Sequence, residues 1–379
     1  MPVELKPSRL VSRPGPDLHD VRGTDTRQRP NELTIGLVNN MPDSALEATE
    51  GQFVSLLESA AGNIPIRFLL YAFKEIPRGE EAQRHIRSCY AGVEELWNSR
   101  RNPHLDAIIV TGREPLAPNL NEEPYWAAFT RLLDWARENT LSSVWSCLAA
   151  HAAVLHLDGI PRIRNGHKHC GVFECERLSE HRLTAGMPAG FRLPHSRWNG
   201  LSEEALRACG YDVLTNSSGM GVDTFVREGQ SLFVFFQGHP EYESNALLLE
   251  YRRDVGRYLR GESDAYPFTP QNYFDRRTES TLAAFREQAI ACRQEAVLAD
   301  LSRVLAAASI ENNWQPTAVH LYRNWLQYLL AKKLLGAKDE LARSLARRKT
   351  GPVAALREST ETSTPIDQRV WPRRLRALS

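Results

Sequence analysis

The chain is poor in cysteine and nearly free of net charge. Six cysteines in 379 residues, none in a Cys-x-x-Cys pair, are too sparse for a disulfide scaffold. A formal charge of +1, from 47 basic and 46 acidic residues, gives no overall field that would gather nucleic acid or an anionic membrane. That total still allows a local basic pocket for a phosphate-bearing substrate. No stretch approaches the roughly 18 apolar residues of a membrane span, and Met1-Pro2-Val3-Glu4-Leu5-Lys6 has no apolar signal core. Internal repeats and low-complexity tracts are lacking too. These absences leave a soluble protein of a reducing compartment, the cytoplasm, where a thiol stays usable.

A hydrophobic content of 42% is enough for a sizeable core. Residues 1–32, rich in Arg, Pro, Asp and Gly, read as an extended N-terminal arm. Residues 33–346 read as the main domain, with a core over 33–260 and a helical part over 261–346, and residues 347–379 as a flexible basic tail. Apolar runs at 33–38, 66–73, 105–112, 143–146 and 231–236 alternate with helical periodicity near 44–60, 80–98, 124–138, 148–157 and 244–260. Runs apolar on both faces are what a central parallel sheet requires. The fold class expected is α/β, a mostly parallel sheet flanked by helices, with two long helical stretches following near 277–309 and 317–346.

Two segments carry the chemistry. Ser142-Ser143-Val144-Trp145-Ser146-Cys147 ends an apolar strand in a cysteine, with a helix predicted from Leu148. A thiol there would lie at the carboxyl edge of the sheet, where open α/β sheets bind ligands. The helix start would turn unpaired N–H groups toward the sulfur and toward the oxyanion of a tetrahedral intermediate, Leu148 supplying the nearest. The second segment, Phe233-Val234-Phe235-Phe236-Gln237-Gly238-His239-Pro240-Glu241, ends another buried strand. Residues two apart in extended chain share a side, so Glu241 could hold the imidazole of His239 in the tautomer facing Cys147. Gly238 would let the backbone approach a ligand. A Cys–His–Glu set can hydrolyse an amide or an ester, or pass an acyl group to an acceptor, and residue types alone leave these open. Cys170 and Cys175, near His167 and His169, lack knuckle spacing, so no metal is expected.

Beyond these residues, the chain resembles the homoserine O-acyltransferases of the O-succinyltransferase type. The likeness rests on Leu37-Val38-Asn39-Asn40-Met41-Pro42, Asp106-Ala107-Ile108-Ile109-Val110-Thr111-Gly112, Glu122-Glu123-Pro124-Tyr125-Trp126, Gly171-Val172-Phe173-Glu174, Pro194-His195-Ser196-Arg197 and Gly238-His239-Pro240-Glu241-Tyr242. Tyr251-Arg252-Arg253-Asp254, Pro270-Gln271-Asn272-Tyr273-Phe274 and Asn324-Trp325-Leu326-Gln327-Tyr328 continue it, in order, from about residue 33 to 332. The resemblance implies the fold of class I glutamine amidotransferases, a homodimer, and the substrates L-homoserine and succinyl-CoA or acetyl-CoA, with no bound cofactor. It implies that Cys147 accepts the acyl group, His239 is the general base and Glu241 its orienting partner. Arg253 would pair with the carboxylate of homoserine, and Lys168, Ser196 and Glu250 would contact the substrate.

The chain departs from the family pattern after the nucleophile. Leu148, Ala149 and His151 stand where the family has an aromatic Trp, a small residue and Gln. These departures, and the lack of Gly-x-Cys-x-Gly, weigh against glutamine hydrolysis, one alternative reading. A serine acceptor and an inactive binding protein are the others. Leu116 stands where the family uses a small residue or Glu to choose the donor. Leu116 repels no carboxylate and Arg113 nearby could attract one, so succinyl is favoured over acetyl.

Overall fold

The computed structural model describes residues 4–5, 31–97, 104–217, 219–310 and 312–349, with side chains for those between 31 and 339. The chain separates into two compact units, Met1–Leu335 and Gly336–Ser379. Of the second, the described part is helical only. Most of the N-terminal arm, and the tail beyond residue 349, lie outside the described residues.

The first unit is built on one large sheet. In chain order its strands are β1 (Glu4–Leu5), β2 (Leu33–Val38), β3 (Ile66–Ala72), β4 (Ala91–Gly92), β5 (Ala107–Val110) and β6 (Ser142–Ser146). A second sheet uses β7 (Ile163–Arg177) and β8 (Gly190–Gly200). The large sheet resumes with β9 (Asp212–Val213), and β10 (Thr215–Ser217) and β11 (Gly221–Val222) complete the second, before β12 (Thr224–Arg227) and β13 (Leu232–Phe236) return to the first. The large sheet runs β1-β3-β2-β5-β6-β13-β12-β9, with β4 also on β3. Pairing is parallel from β1 through β13 and antiparallel at β13/β12 and β12/β9. Thus Glu4 and Leu5 of the arm add an edge strand beside Arg67 and Phe68.

Alternation along each strand explains the layers. Leu232, Val234 and Phe236 enter one core cluster and Phe233 and Phe235 the other, just as Val144 and Trp145 divide between them. On one face lie α1 (Leu46–Ala61) and the helical residues between 276 and 329. On the other lie α3 (Trp126–Asn139) and α4 (Leu148–Asp158), where Phe129 meets Trp145 edge-on at 5.4 Å.

Several elements differ from the sequence expectation. The stretch near 80–98 holds α2 (Glu80–Cys89), the short β4 and a 3₁₀ turn over Val93–Trp97, since Ala82 is the only buried residue of α2. After α5 (Glu203–Ala208) and α6 (Ala246–Leu259), the stretch near 277–309 is not one helix. It divides into α7 (Arg276–Ala291) and α8 (Leu298–Ala306), with a 3₁₀ turn at Glu295–Val297 between. α9 begins at Gln315. Its Trp325 Nε1 donates to Ser142 Oγ under β6 at 2.9 Å, which gives the Asn324–Tyr328 motif a bracing task. Among the described residues no helix is long and apolar enough to cross a membrane.

Candidate active site

Four strand ends converge on one cleft. Met41 and Pro42 follow β2, Gly112 and Arg113 follow β5, Cys147 follows β6 and His239 follows β13, and all line it. β2 is flanked by β3 on one side and β5 on the other, so the chain reverses its direction of winding there. That is the crevice open sheets use for ligands. The second sheet supplies the opposite wall through Lys168, Ser196 and Arg197.

Cys147 takes φ 53° and ψ −115° at the N-terminus of α4. Among the described residues only Cys147 and Asn272 are non-glycine positions with positive φ, and Asn tolerates that region better than Cys does. Such an elbow is strained by roughly 1–3 kcal/mol and projects its side chain off the sheet edge. The strain is held by the Cys147 N–H, which donates to the Phe236 carbonyl of β13 at 2.7 Å. Gly112 presses against the elbow: a Cβ there would stand 2.7 Å from Leu148 N and 3.0 Å from Ser146 O. Leu148 N and residue 112 therefore lie side by side next to the sulfur.

His239 and Glu241 form the pair the spacing foretold, Nδ1 to Oε1 at 2.9 Å. With Nδ1 engaged, Nε2 is the ring nitrogen left for Cys147. Burial alone would lower the His239 pKa. The Cys147 sulfur and the Glu241 carboxylate reverse that and hold it well above the usual histidine value. Ser146 Oγ also donates to Glu241 Oε1 at 3.3 Å. The imidazole stacks on the Tyr242 ring, centroids 4.2 Å apart.

Gly238 has a different partner from the one expected. Its backbone closes on protein, not on a ligand. The N–H donates to Asp223 Oδ1 at 3.1 Å, and a Cβ would meet that same oxygen at 2.6 Å and His195 at 3.0 Å. The glycine seats the His-Pro-Glu turn on a buried Asp223–His195–Arg197 cluster.

Lys168, Ser196, Glu250 and Arg253, expected as substrate contacts, do meet. Glu250 accepts from Ser196 Oγ at 2.5 Å, from the Tyr242 hydroxyl and from Lys168 Nζ at 3.4 Å. Arg253 Nη2 lies 3.7 Å from Glu250, and its Nε donates to Asp254 Oδ1 at 2.8 Å. Lys168 donates to Asp254 Oδ2 at 2.9 Å. Burial would raise the Glu250 pKa, but Lys168 and Arg253 lead the groups that bring it to about 2. The cluster holds two cations and two carboxylates, a neutral set that can exchange its internal pairs for a zwitterion. Tyr242 and Asp254 stood in the quoted motifs with no role. Only tertiary contact shows that Tyr242 joins the imidazole face to Glu250.

Of the two positions read as donor selectors, Arg113 lines the cleft, whereas Leu116 is 51% exposed and does not. His151 is buried beneath the cleft. Gln237 Nε2 donates to Val222 O at 2.6 Å, so its Oε1 is the acceptor of the 2.9 Å contact from His151 Nε2. Burial foremost, with Arg197 and Arg162 adding, takes the His151 pKa down to about 3. Cys170 and Cys175 are buried strand cysteines, and burial pushes the Cys170 thiol to about 12. Seven basic side chains line the cleft against three acidic ones, which suits a polyanionic ligand.

The homoserine O-succinyltransferase family model matches residues 20–334. A homoserine O-succinyltransferase of Rhodopseudomonas palustris is 46% identical over 305 residues, covering 80% of this chain and 90% of the relative. The chain belongs to the homoserine O-succinyltransferase family. A second member, from Bradyrhizobium japonicum, is 44% identical over 309 residues, covering 81% of this chain and 93% of its own. Among solved structures, a glutamine amidotransferase from Methylobacillus flagellatus is similar at a TM-score of 0.45 and 15% identity, covering 79% of this chain and 95% of its own.

Proposed function

We propose that the protein transfers a succinyl group from succinyl-CoA to the hydroxyl of L-homoserine through an acyl-cysteine. The observation that carries this reading is the joining of Cys147, His239 and Glu241 to a neutral, charge-paired amino-acid site at the edge of one basic cleft. His239 takes the thiol proton, and the Cys147 thiolate attacks the thioester carbon. The oxyanion is stabilised by Leu148 N–H and the α4 dipole, with the residue-112 backbone alongside. CoA leaves as the thiol, protonated by His239. Homoserine then enters, its carboxylate on Arg253 and its ammonium on Glu250 and Asp254. His239 removes the hydroxyl proton and the homoserine oxygen attacks the acyl carbon; the C–S bond then breaks, releasing O-succinylhomoserine, and His239 returns the proton to the Cys147 sulfur. Family membership supports the homoserine acceptor, and the basic lining supports the CoA donor. We place the reaction in the cytoplasm and the enzyme in a homodimer.

The test is intact-mass measurement of the protein with succinyl-CoA and no acceptor. A 1:1 succinyl adduct mapping to Cys147, discharged by homoserine and absent in Cys147→Ala, is expected. Turnover without any adduct on Cys147 would overturn the covalent route. Ammonia release from glutamine without CoA would favour the hydrolase reading instead.

A further inference from the structure

Two guanidinium nitrogens in the cleft have no hydrogen-bond partner among the described residues. Arg113 Nη1 and Arg162 Nη1 are both buried without a hydrogen-bond acceptor among the described residues, and both side chains line the cavity that holds Cys147. Desolvation without full pairing lowers the pKa of each. Buried donors on a cation are expensive to leave unmade, so their retention here asks for a ligand that completes them.

Their surroundings define that ligand. Both arginines lie within electrostatic reach of the Glu123 carboxylate, and Arg113 sits over the Tyr125 ring at 6.0 Å. Glu123 is half engaged: its Oε1 accepts from Leu116 N at 2.7 Å and Ala117 N at 3.0 Å, while its buried Oε2 has no hydrogen-bond partner among the described residues. Two cations and one carboxylate leave one positive charge over. The next cations out are already engaged, Arg78 on Met41 O and Asp43, and Arg164 over the Trp198 ring at 4.3 Å. One further carboxylate would neutralise the group.

The position fits the acyl chain. Residue 112 abuts the elbow at Leu148 N, and Arg113 is its chain neighbour. In a succinyl group three carbon–carbon bonds of about 1.5 Å separate the thioester carbon from the carboxyl carbon. That span lets a thioester seated at the elbow present its carboxylate on the Arg113 side of the cavity. We infer that Arg162, with Arg113, holds the terminal carboxylate of a dicarboxylic acyl donor and selects it over uncharged acyl groups. This rests on the acyl-transfer reading above. Leu116, turned outward, contributes its backbone N–H to Glu123 and not its side chain to the acyl group.

A purely structural part for Arg162 is the competing view, since its Nη2 also donates to Pro118 O at 2.8 Å and steadies the loop bearing Arg113. The experiment measures kcat/KM with homoserine for succinyl-CoA, butyryl-CoA and acetyl-CoA on the wild-type enzyme and on Arg162→Gln and Arg113→Gln. Butyryl keeps the length of succinyl and removes the charge. Wild type is expected to prefer succinyl to butyryl by at least about 100-fold, because a site that leaves buried donors unpaired rejects the analogue lacking their partner. Each variant is expected to lose about 30-fold or more with succinyl-CoA and to keep butyryl and acetyl turnover within about threefold. That retained turnover certifies the fold. Arg162→Lys, which keeps charge without the fork, should fall between. A parallel loss with all three donors, or an unchanged succinyl/butyryl ratio, overturns the assignment. A wild type that uses none of the three donors refutes the acyl-transfer reading itself, while equal use of succinyl and butyryl refutes only this carboxylate site.

Discussion

Arg253 and Glu250 face each other across one helical turn of α6, and their pairing is what a free amino acid would have to replace. The cluster is neutral, so a zwitterion would bind by exchanging ion pairs and strand no charge. In the proposed reaction, Arg253→Ala would remove the partner of the acceptor carboxylate and leave Cys147, His239 and Glu241 in place. Its expected signature is a normal rate of Cys147 acylation in a single turnover, with the homoserine KM of the second half-reaction raised about 30-fold or more. Equal loss in both half-reactions, with the fold intact, would count against placing Arg253 on homoserine. At this scale the sequence was informative where chemistry is local: Cys147, His239 and Glu241 each stand at the end of a legible apolar run. Arg162 was not legible, because an arginine between Pro161 and Ile163 carries no mark of what it lines.

At the scale of elements, the elbow depends on three strand ends in register. Ser146 of β6 pairs with Phe236 of β13, so Cys147 and the His-Pro-Glu turn leave the sheet at one level. β5 delivers Gly112 against the start of α4. The short contact leaves no room for a side chain, and the atoms in the way are backbone, which yields little. Gly112→Ala is expected to push Leu148 N out of place and lower kcat by about 10²–10³, with stability reduced by about 1–3 kcal/mol from the backbone clash. Stopped-flow acylation with succinyl-CoA reads this directly, and an unchanged acylation rate would remove the residue-112 approach from the mechanism. The strand–elbow–helix order was readable from apolar runs broken by a cysteine. The Gly112 contact was not, since it joins residues 36 positions apart.

For the whole molecule, buried neutral imidazoles make acid the weak direction. His151 has its pKa lowered to about 3, and His195, pressed by burial and by Arg197, lies well below the usual value. Unfolded, each binds a proton below about 6.5; folded, His151 stays neutral down to about 3. The unfolded state then holds more protons between those limits, so stability falls as pH drops through that window, by about 1.4 kcal/mol per pH unit for each such histidine. Above the window the contribution is complete and flat. His151→Gln should flatten the slope of urea-unfolding free energy between pH 6 and pH 4 by about one proton's worth. An unaltered slope would mean that His151 is not neutral and buried as described.

Composition, periodicity and the order of apolar runs settled that the chain is an α/β protein with a cysteine at a strand–helix junction and a His-Pro-Glu segment at the end of another strand. Those features are local, because a buried parallel strand needs an unbroken apolar run and a helix needs its own spacing. Only the tertiary structure decided that a separate antiparallel sheet closes the cleft, that Gly238 seats on Asp223, and that Leu116 turns outward while Arg113 and Arg162 turn in. A side chain's partner across the fold depends on how strands from distant parts of the chain come into register, and that distance is not written in the residues beside it.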